Sequence, residues 1–143
     1  KKVAFFAVSS DGTITVRKPN DYVSAMIGLA GGTYSLGNYT DEEKNALSTM
    51  KMQMEDFYSA EIDADVLIYN STIEGEVDSL AALLERCPLL ADCKAVQQGN
   101  VWCTAQSLFQ QSMELPDLIL DMNRVFTQEN PPESELKFLT KIE

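Results

Sequence analysis

Asp63-Ala64-Asp65-Val66-Leu67-Ile68-Tyr69-Asn70 is a short apolar run that stops at a polar cluster. A helical pattern ending near Arg86 follows it. Then Lys94-Ala95-Val96-Gln97-Gln98-Gly99-Asn100-Val101-Trp102 brings a second strand out of a Gly-Asn turn and stops it at an aromatic residue. This order predicts a strand–helix–strand crossover. Val66, Leu67 and Ile68 do not alternate with polar residues, which fits a strand buried on both faces, as in parallel sheets. Open α/β sheets take their ligands beyond the carboxyl ends of the strands, so the polar groups after Ile68 and after Val101 become candidate site residues.

The pattern extends outward in both directions. Residues 3–8, Val-Ala-Phe-Phe-Ala-Val, form a second apolar run, expected as a central strand. Asp11-Gly12 is a turn signal, and residues 13–16 alternate as its hairpin partner should. Tyr22, Val23, Met26, Ile27 and Ala30 recur with helical spacing after Pro19-Asn20-Asp21, and Gly31-Gly32 supplies the helix exit. Residues 33–39 are a short strand or loop. Thr40 with Glu43 has the capping-box pattern, and Leu47, Met50, Met54, Phe57 and Tyr58 predict one long helix. Residues 76–86 form the crossover helix, 88–92 a helical turn, and 100–104 a strand. Leu115, Leu118, Ile119, Met122 and Phe126 mark a C-terminal helix, broken by Asn130-Pro131-Pro132. The expected fold is a three-layer α/β sandwich. It has a mainly parallel central sheet, one hairpin or antiparallel edge strand, and helices on both faces. A single lobe over residues 1–128 and a polar tail over 129–143 complete the expectation.

Composition narrows the function. With 143 residues and 45% apolar content the chain can bury a core. Its net charge of −11 argues against a nucleic-acid partner and is otherwise explained by a well-solvated surface. The absence of histidine removes the commonest general base and metal ligand. Cys87, Cys93 and Cys103 are too few and too widely spaced for a disulfide framework or a zinc site. On one continuous helix Cys87 and Cys93 would lie roughly 9 Å apart, beyond bridging distance, and only a helix break at Pro88 would leave a bridge open. No run reaches transmembrane length, and the short apolar opening after Lys1-Lys2 is no signal peptide. A chain that begins inside a core strand is expected of a piece of a longer protein.

Each candidate constellation has a plain alternative. Tyr69-Asn70-Ser71-Thr72 would form a polar shelf at a strand end, or a loop in which Ser71 or Thr72 caps the next turn. In Trp102-Cys103-Thr104-Ala105-Gln106-Ser107, with Phe109 and Gln110, the tryptophan offers a flat face for a macrocycle or covers the sheet as core. Trp102 and Cys103 must face opposite sides of their strand. Ser9-Ser10 before Asp11-Gly12 is a second shelf or simply the hairpin turn. Asp63 with Asp65, and Glu74 with Glu76, have the spacing of paired catalytic or metal-binding carboxylates. Asp63 and Asp65 precede their strand, however, where they would solvate a loop, and Glu74 and Glu76 suit a helix N-terminus. Met50 and Met54 would share a helix face as packing residues, with Met52 pointing elsewhere, and packing is favoured over a methionine ligand for heme iron. The glycines of 28–32 match no phosphate-binding loop.

Taken in order, these motifs resemble the C-terminal lobe of the substrate-binding proteins of ABC importers for iron-siderophores, heme and vitamin B12, the class III periplasmic binding proteins. The motifs are the opening strand, the helix leading to Leu29-Ala30-Gly31-Gly32, the Asp63–Ile68 segment, Leu90 with the 94–102 segment, and the final amphipathic helix. The resemblance spans residues 3–128. It implies a two-lobed protein that holds a metal chelate between its lobes by binding without chemistry, with no cofactor of its own and no enzymatic activity. The ligand would be a ferric siderophore, heme or a cobalamin. The cleft of this lobe would be formed by Ser9, Ser10, Tyr34, Tyr69, Asn70, Ser71, Trp102, Cys103 and Gln106. Asp21, near the start of the helix before Gly31-Gly32, would dock the membrane permease. The N-terminal lobe would be a separate part, absent from this sequence. The location would be extracytoplasmic, periplasmic or on a lipoprotein anchor. Without histidine, the histidine iron ligand that some heme binders of this family use cannot come from this lobe. The competing classes are a chelatase-like or metal-dependent α/β enzyme domain and an acidic protein-interaction domain.

Overall fold

The computed structural model describes residues 2–8, 13–17, 22–34, 49–70, 79–104, 115–127 and 139–142. Its centre is β1 (Lys2–Val8), buried from Val3 through Val8. β5 (Val66–Tyr69) lies parallel to β1, and β6 (Val101–Thr104) lies parallel to β5. All four residues of β5 and of β6 are buried. Runs without alternation fold this way because both faces of these strands are covered.

Around this parallel centre the sheet has seven strands. β2 (Ile14–Arg17) pairs antiparallel with β1, as the Asp11-Gly12 signal predicts, with Phe6 opposite Val16. β3 (Thr33–Tyr34) runs parallel to the start of β1. β4 (Thr49–Met52) lies beyond β2, and β7 (Leu139–Lys141) closes the other side against β6. Only β2 and β7 run against the common direction of the other five strands.

Helices cover both faces. α1 (Tyr22–Leu29) and α5 (Leu115–Thr127) share the side to which Val3 points. Asn123 of α5 donates from Nδ2 to the Ala30 carbonyl at 2.9 Å, tying the two helices together. Gly32 sits so close beneath them that an added Cβ would come within 2.9 Å of the Phe126 ring and 3.0 Å of Val3. Gly31, at φ 95°, makes the left-handed exit of α1 that the Gly-Gly pair predicts. On the opposite face α2 (Met54–Glu61) lays Phe57 on Phe6, ring centroids 4.9 Å apart. The crossover consists of α3 (Leu80–Arg86), a 3₁₀ turn (Pro88–Asp92) and α4 (Lys94–Gln98). Ser79 caps α3 by accepting from the Ala82 amide at 3.2 Å. Gly99, at φ 75°, ends α4 and turns the chain into β6.

Two expectations change. The long helix through Met50 and Met54 starts only at Met54, and Thr49–Met52 is instead the edge strand β4, with Met52 opposite Ile14. Met50-Lys51-Met52 has a period of two as well as helical content. Pairing with β2 decides between them, burying Met52 and leaving Lys51 exposed. Thr40, Glu43 and Leu47 lie outside the described residues. The second change is at 139–142, expected as part of a polar tail. Leu139–Lys141 joins the sheet, Leu139 and Ile142 are buried, and the Ile142 amide donates to the Val101 carbonyl at 2.8 Å. The open edge of β6 supplies the backbone groups that make three residues sufficient.

Candidate functional site

The co-directional strands β1, β5 and β6 end on one side of the sheet. Phe6 is level with Tyr69, and Tyr69 with Cys103. The Asn70 amide donates to the Phe6 carbonyl at 2.6 Å, holding the end of β5 against β1. Tyr69, Asn70, Cys103 and Thr104 therefore emerge side by side, as the strand–helix–strand reading requires. Ser9, Ser10, Asp21, Ser71 and Gln106 lie outside the described residues, as do Thr72, Glu74, Glu76, Phe109 and Gln110.

Tyr34 does not join this rim. It pairs with Val3, at the far end of β1 from Val8, and is buried. A two-residue strand gives no register in sequence, so its level along β1 could not be foreseen.

The described rim residues are also more enclosed than a sequence reading suggests. Tyr69 points to the α2–α3 face, its ring set edge-on to Phe6 with centroids 5.5 Å apart. Its hydroxyl accepts from the Arg86 guanidinium at 2.8 Å. Arg86 closes over the end of the ring, which is why Tyr69 has no exposed surface. The helical spacing marked Arg86 only as the end of a helix; its role depends on a contact 17 residues back in the chain. Asn70 is 2% exposed and Cys103 6%. Trp102, one residue before Cys103, occupies the other face in line with Phe5 and Ile68, is 1% exposed, and has no hydrogen-bond partner for its indole Nε1. Of the two readings of the tryptophan, the structure gives it the place of a core residue.

Of the four buried polar residues among those described, Glu61 lies at the end of α2 and the other three lie near this edge. Asn70, Thr104 and Asp121 are each buried. Asp121, on α5, accepts from the Leu139 amide of β7 at 3.3 Å. The apolar periodicity of the C-terminal helix gave no reason to single out this carboxylate.

The carboxylates before β5 have the structural role expected of them. Asp63 accepts from Lys2 Nζ at 2.6 Å. Asp65 accepts from Lys94 Nζ at 2.7 Å and from the Lys2 amide at 2.9 Å. The Lys2 hydrogen bond and charge lower the pKa of Asp63, and the Lys94 hydrogen bond followed by the Lys2 amide lowers that of Asp65. Lowered folded-state pKa values mean that these contacts contribute fully above the unfolded carboxylate pKa of about 3.9. The contribution disappears as pH falls through the lower folded values. Melting temperature should therefore fall below about pH 4, and Asp65→Asn should flatten that acid limb while leaving the protein less stable at pH 7. An unchanged acid limb in Asp65→Asn would contradict the assignment.

Cys87, Cys93 and Cys103 are free thiols. Burial raises the pKa of Cys87, and burial followed by the nearby Cys87 pushes that of Cys93 up to about 11. Both are protonated at neutral pH and so are poor nucleophiles. Among the described residues no group of three or more Cys, Asp or Glu side chains is placed to hold a metal ion. No described helix is long and apolar enough to cross a membrane.

A mixed α/β sheet of this order, with its parallel centre ending in one rim, is the fold found in one half of the periplasmic binding proteins of ABC transporters. A periplasmic heme binding protein from Pseudomonas aeruginosa superposes with a TM-score of 0.64 over 98% of this chain and 45% of its own, at 18% identity. The siderophore periplasmic binding protein from the fuscachelin gene cluster of Thermobifida fusca gives 0.61 over 87% of this chain and 44% of its own, at 22% identity. A periplasmic heme binding protein of Vibrio cholerae gives 0.58 over 83% and 46%, at 18% identity. The chain thus spans less than half the length of these structures. No protein-family model and no curated protein matches it.

Proposed function

We propose that this chain is the C-terminal lobe of a solute-binding protein of an ABC importer, one that captures an iron chelate, heme or a cobalamin outside the cytoplasm and delivers it to a membrane permease. The observation that carries this reading is the side-by-side termination of β1, β5 and β6 on one rim, in a fold whose solved counterparts include heme- and siderophore-binding proteins. The segments leaving that rim, with Ser9, Ser10, Ser71 and Gln106 and with Asn70 and Cys103 at their base, would supply this lobe's half of the ligand contacts. Asp21 would dock the permease, and a lipid anchor or a periplasmic location would keep the protein at the membrane. The role is binding without catalysis. Two lobes closing on a large chelate exclude water from it, and a few polar groups set its orientation.

Isothermal titration with ferric hydroxamate and catecholate siderophores, hemin and cyanocobalamin tests the proposal. The product of the complete gene should bind one of these classes saturably with Kd of about 1 μM or tighter. The 143-residue chain alone should show no saturable binding up to about 100 μM, because it has half the contacts and no closure. A complete product that binds none of the panel overturns the transport reading. Tight binding by the isolated chain overturns the two-lobe mechanism.

A further inference from the structure

We propose that β7 is a latched strap, a short strand that opens independently of the rest of the sheet, and that Asp121 is the residue that holds it down. This rests on geometry alone and does not require the transport reading. Among the described residues β7 has three residues and one strand neighbour, β6, whereas β5 and β1 each have strands on both sides. Leu139 and Ile142 are buried, the Ile142 amide bonds to the Val101 carbonyl, and the Leu139 amide bonds to Asp121. Burying a carboxylate costs free energy that an apolar residue at the same place would not. Asp121 is 2% exposed and reaches across from α5 to the first amide of the strand. It thus accepts from a backbone group of β7, adding a contact from α5 to the pairing with β6.

The strap matters for the rim. Leu139 pairs with Thr104, the last residue of β6, and Lys141 pairs with Trp102. The chain that leaves Thr104 therefore starts one residue beyond the last β5–β6 pair, Tyr69 with Cys103, from a position paired with β7. Undocking β7 would free that side of Thr104 and expose the backbone edge of β6, a surface open to another strand. Asp121 is accordingly a positioning residue: it acts through β7 on the end of β6.

Amide hydrogen exchange on the 143-residue chain tests this. In the wild-type protein, peptides covering 139–142 should exchange at least about a hundredfold faster than those covering β1 and β5, as a locally opening unit does. Asp121→Ala should speed exchange of 139–142 by about tenfold more, with β1 and β5 unchanged within about twofold. Asp121→Asn keeps an acceptor oxygen and should restore most of the protection. The emission of Trp102, the only tryptophan, should shift to longer wavelength in Asp121→Ala, because its cross-strand neighbour is in β7. The proposal is overturned if wild-type 139–142 is as protected as β1 and β5, or if Asp121→Ala leaves 139–142 unchanged or accelerates all three strands equally. The wild-type comparison decides by itself if the alanine variant does not fold.

Discussion

Phe6→Ala should lower the unfolding free energy by about 4 kcal/mol, within the range measured for large-to-alanine changes at buried aromatic positions. Phe6 lies on the central strand and is 1% exposed. It touches Phe57 of α2 on one side and Tyr69 of β5 on another, with ring centroids at 4.9 and 5.5 Å. Truncating it leaves a cavity that these rings cannot fill, since Phe57 is fixed by its helix and Tyr69 by Arg86. For a domain whose total stability is about 5–15 kcal/mol, the loss is about a quarter or more. The melting temperature should fall by roughly 10 °C. Urea denaturation should show a lower midpoint with an unchanged slope. The double variant Phe6→Ala/Phe57→Ala should be more stable than additivity predicts by about 1 kcal/mol, the ring–ring share of the contact. A loss below about 1 kcal/mol in the single variant would mean that the aromatic cluster is not the centre of this face.

The success and the failure of sequence reading divide along the same physical line. Strands β1, β5 and β6 were legible because a continuous apolar run needs cover on both faces, and few arrangements provide it. The glycine exits at Gly31 and Gly99 were legible because a left-handed residue leaves a local signature. The edge strands β4 and β7 were not. Each is short and carries a lysine, and each forms only because a neighbouring strand has backbone groups to pair. At Met50-Lys51-Met52 local helical preference pointed the wrong way, and tertiary pairing overrode it. The carboxyl-edge rim was foreseeable because a crossover brings two strand ends together by topology. The partners of its members were not. Arg86 over Tyr69, and Asp121 at Leu139, join residues that no local period relates. Tyr34 was assigned to the wrong end of β1 because register along a two-residue strand is set by pairing alone.

Trp102 tests how far the rim extends into the core. The sequence allowed two places for it, a flat surface for an aromatic ligand or cover for the sheet, and the two make opposite predictions for the same substitution. As a core residue, in line with Phe5 and Ile68 and 1% exposed, Trp102→Ala should cost about 3–5 kcal/mol of stability, comparable to Phe6→Ala. Trp102→Phe should cost much less, about 1 kcal/mol, for a specific reason. The indole Nε1 is buried without a hydrogen-bond partner, a defect worth about 1–3 kcal/mol, and phenylalanine removes that defect along with the lost ring area. A ligand platform would behave differently. Both variants would keep the wild-type urea midpoint, and any chelate affinity that titration finds in the complete gene product would be mostly lost in Trp102→Ala. Measuring midpoint and affinity for the same two variants separates the cases, since a core tryptophan lowers the first and a platform the second. A Trp102→Ala protein as stable as wild type would place the ring at the ligand surface and move the rim one residue deeper into β6 than its present edge at Cys103 and Thr104.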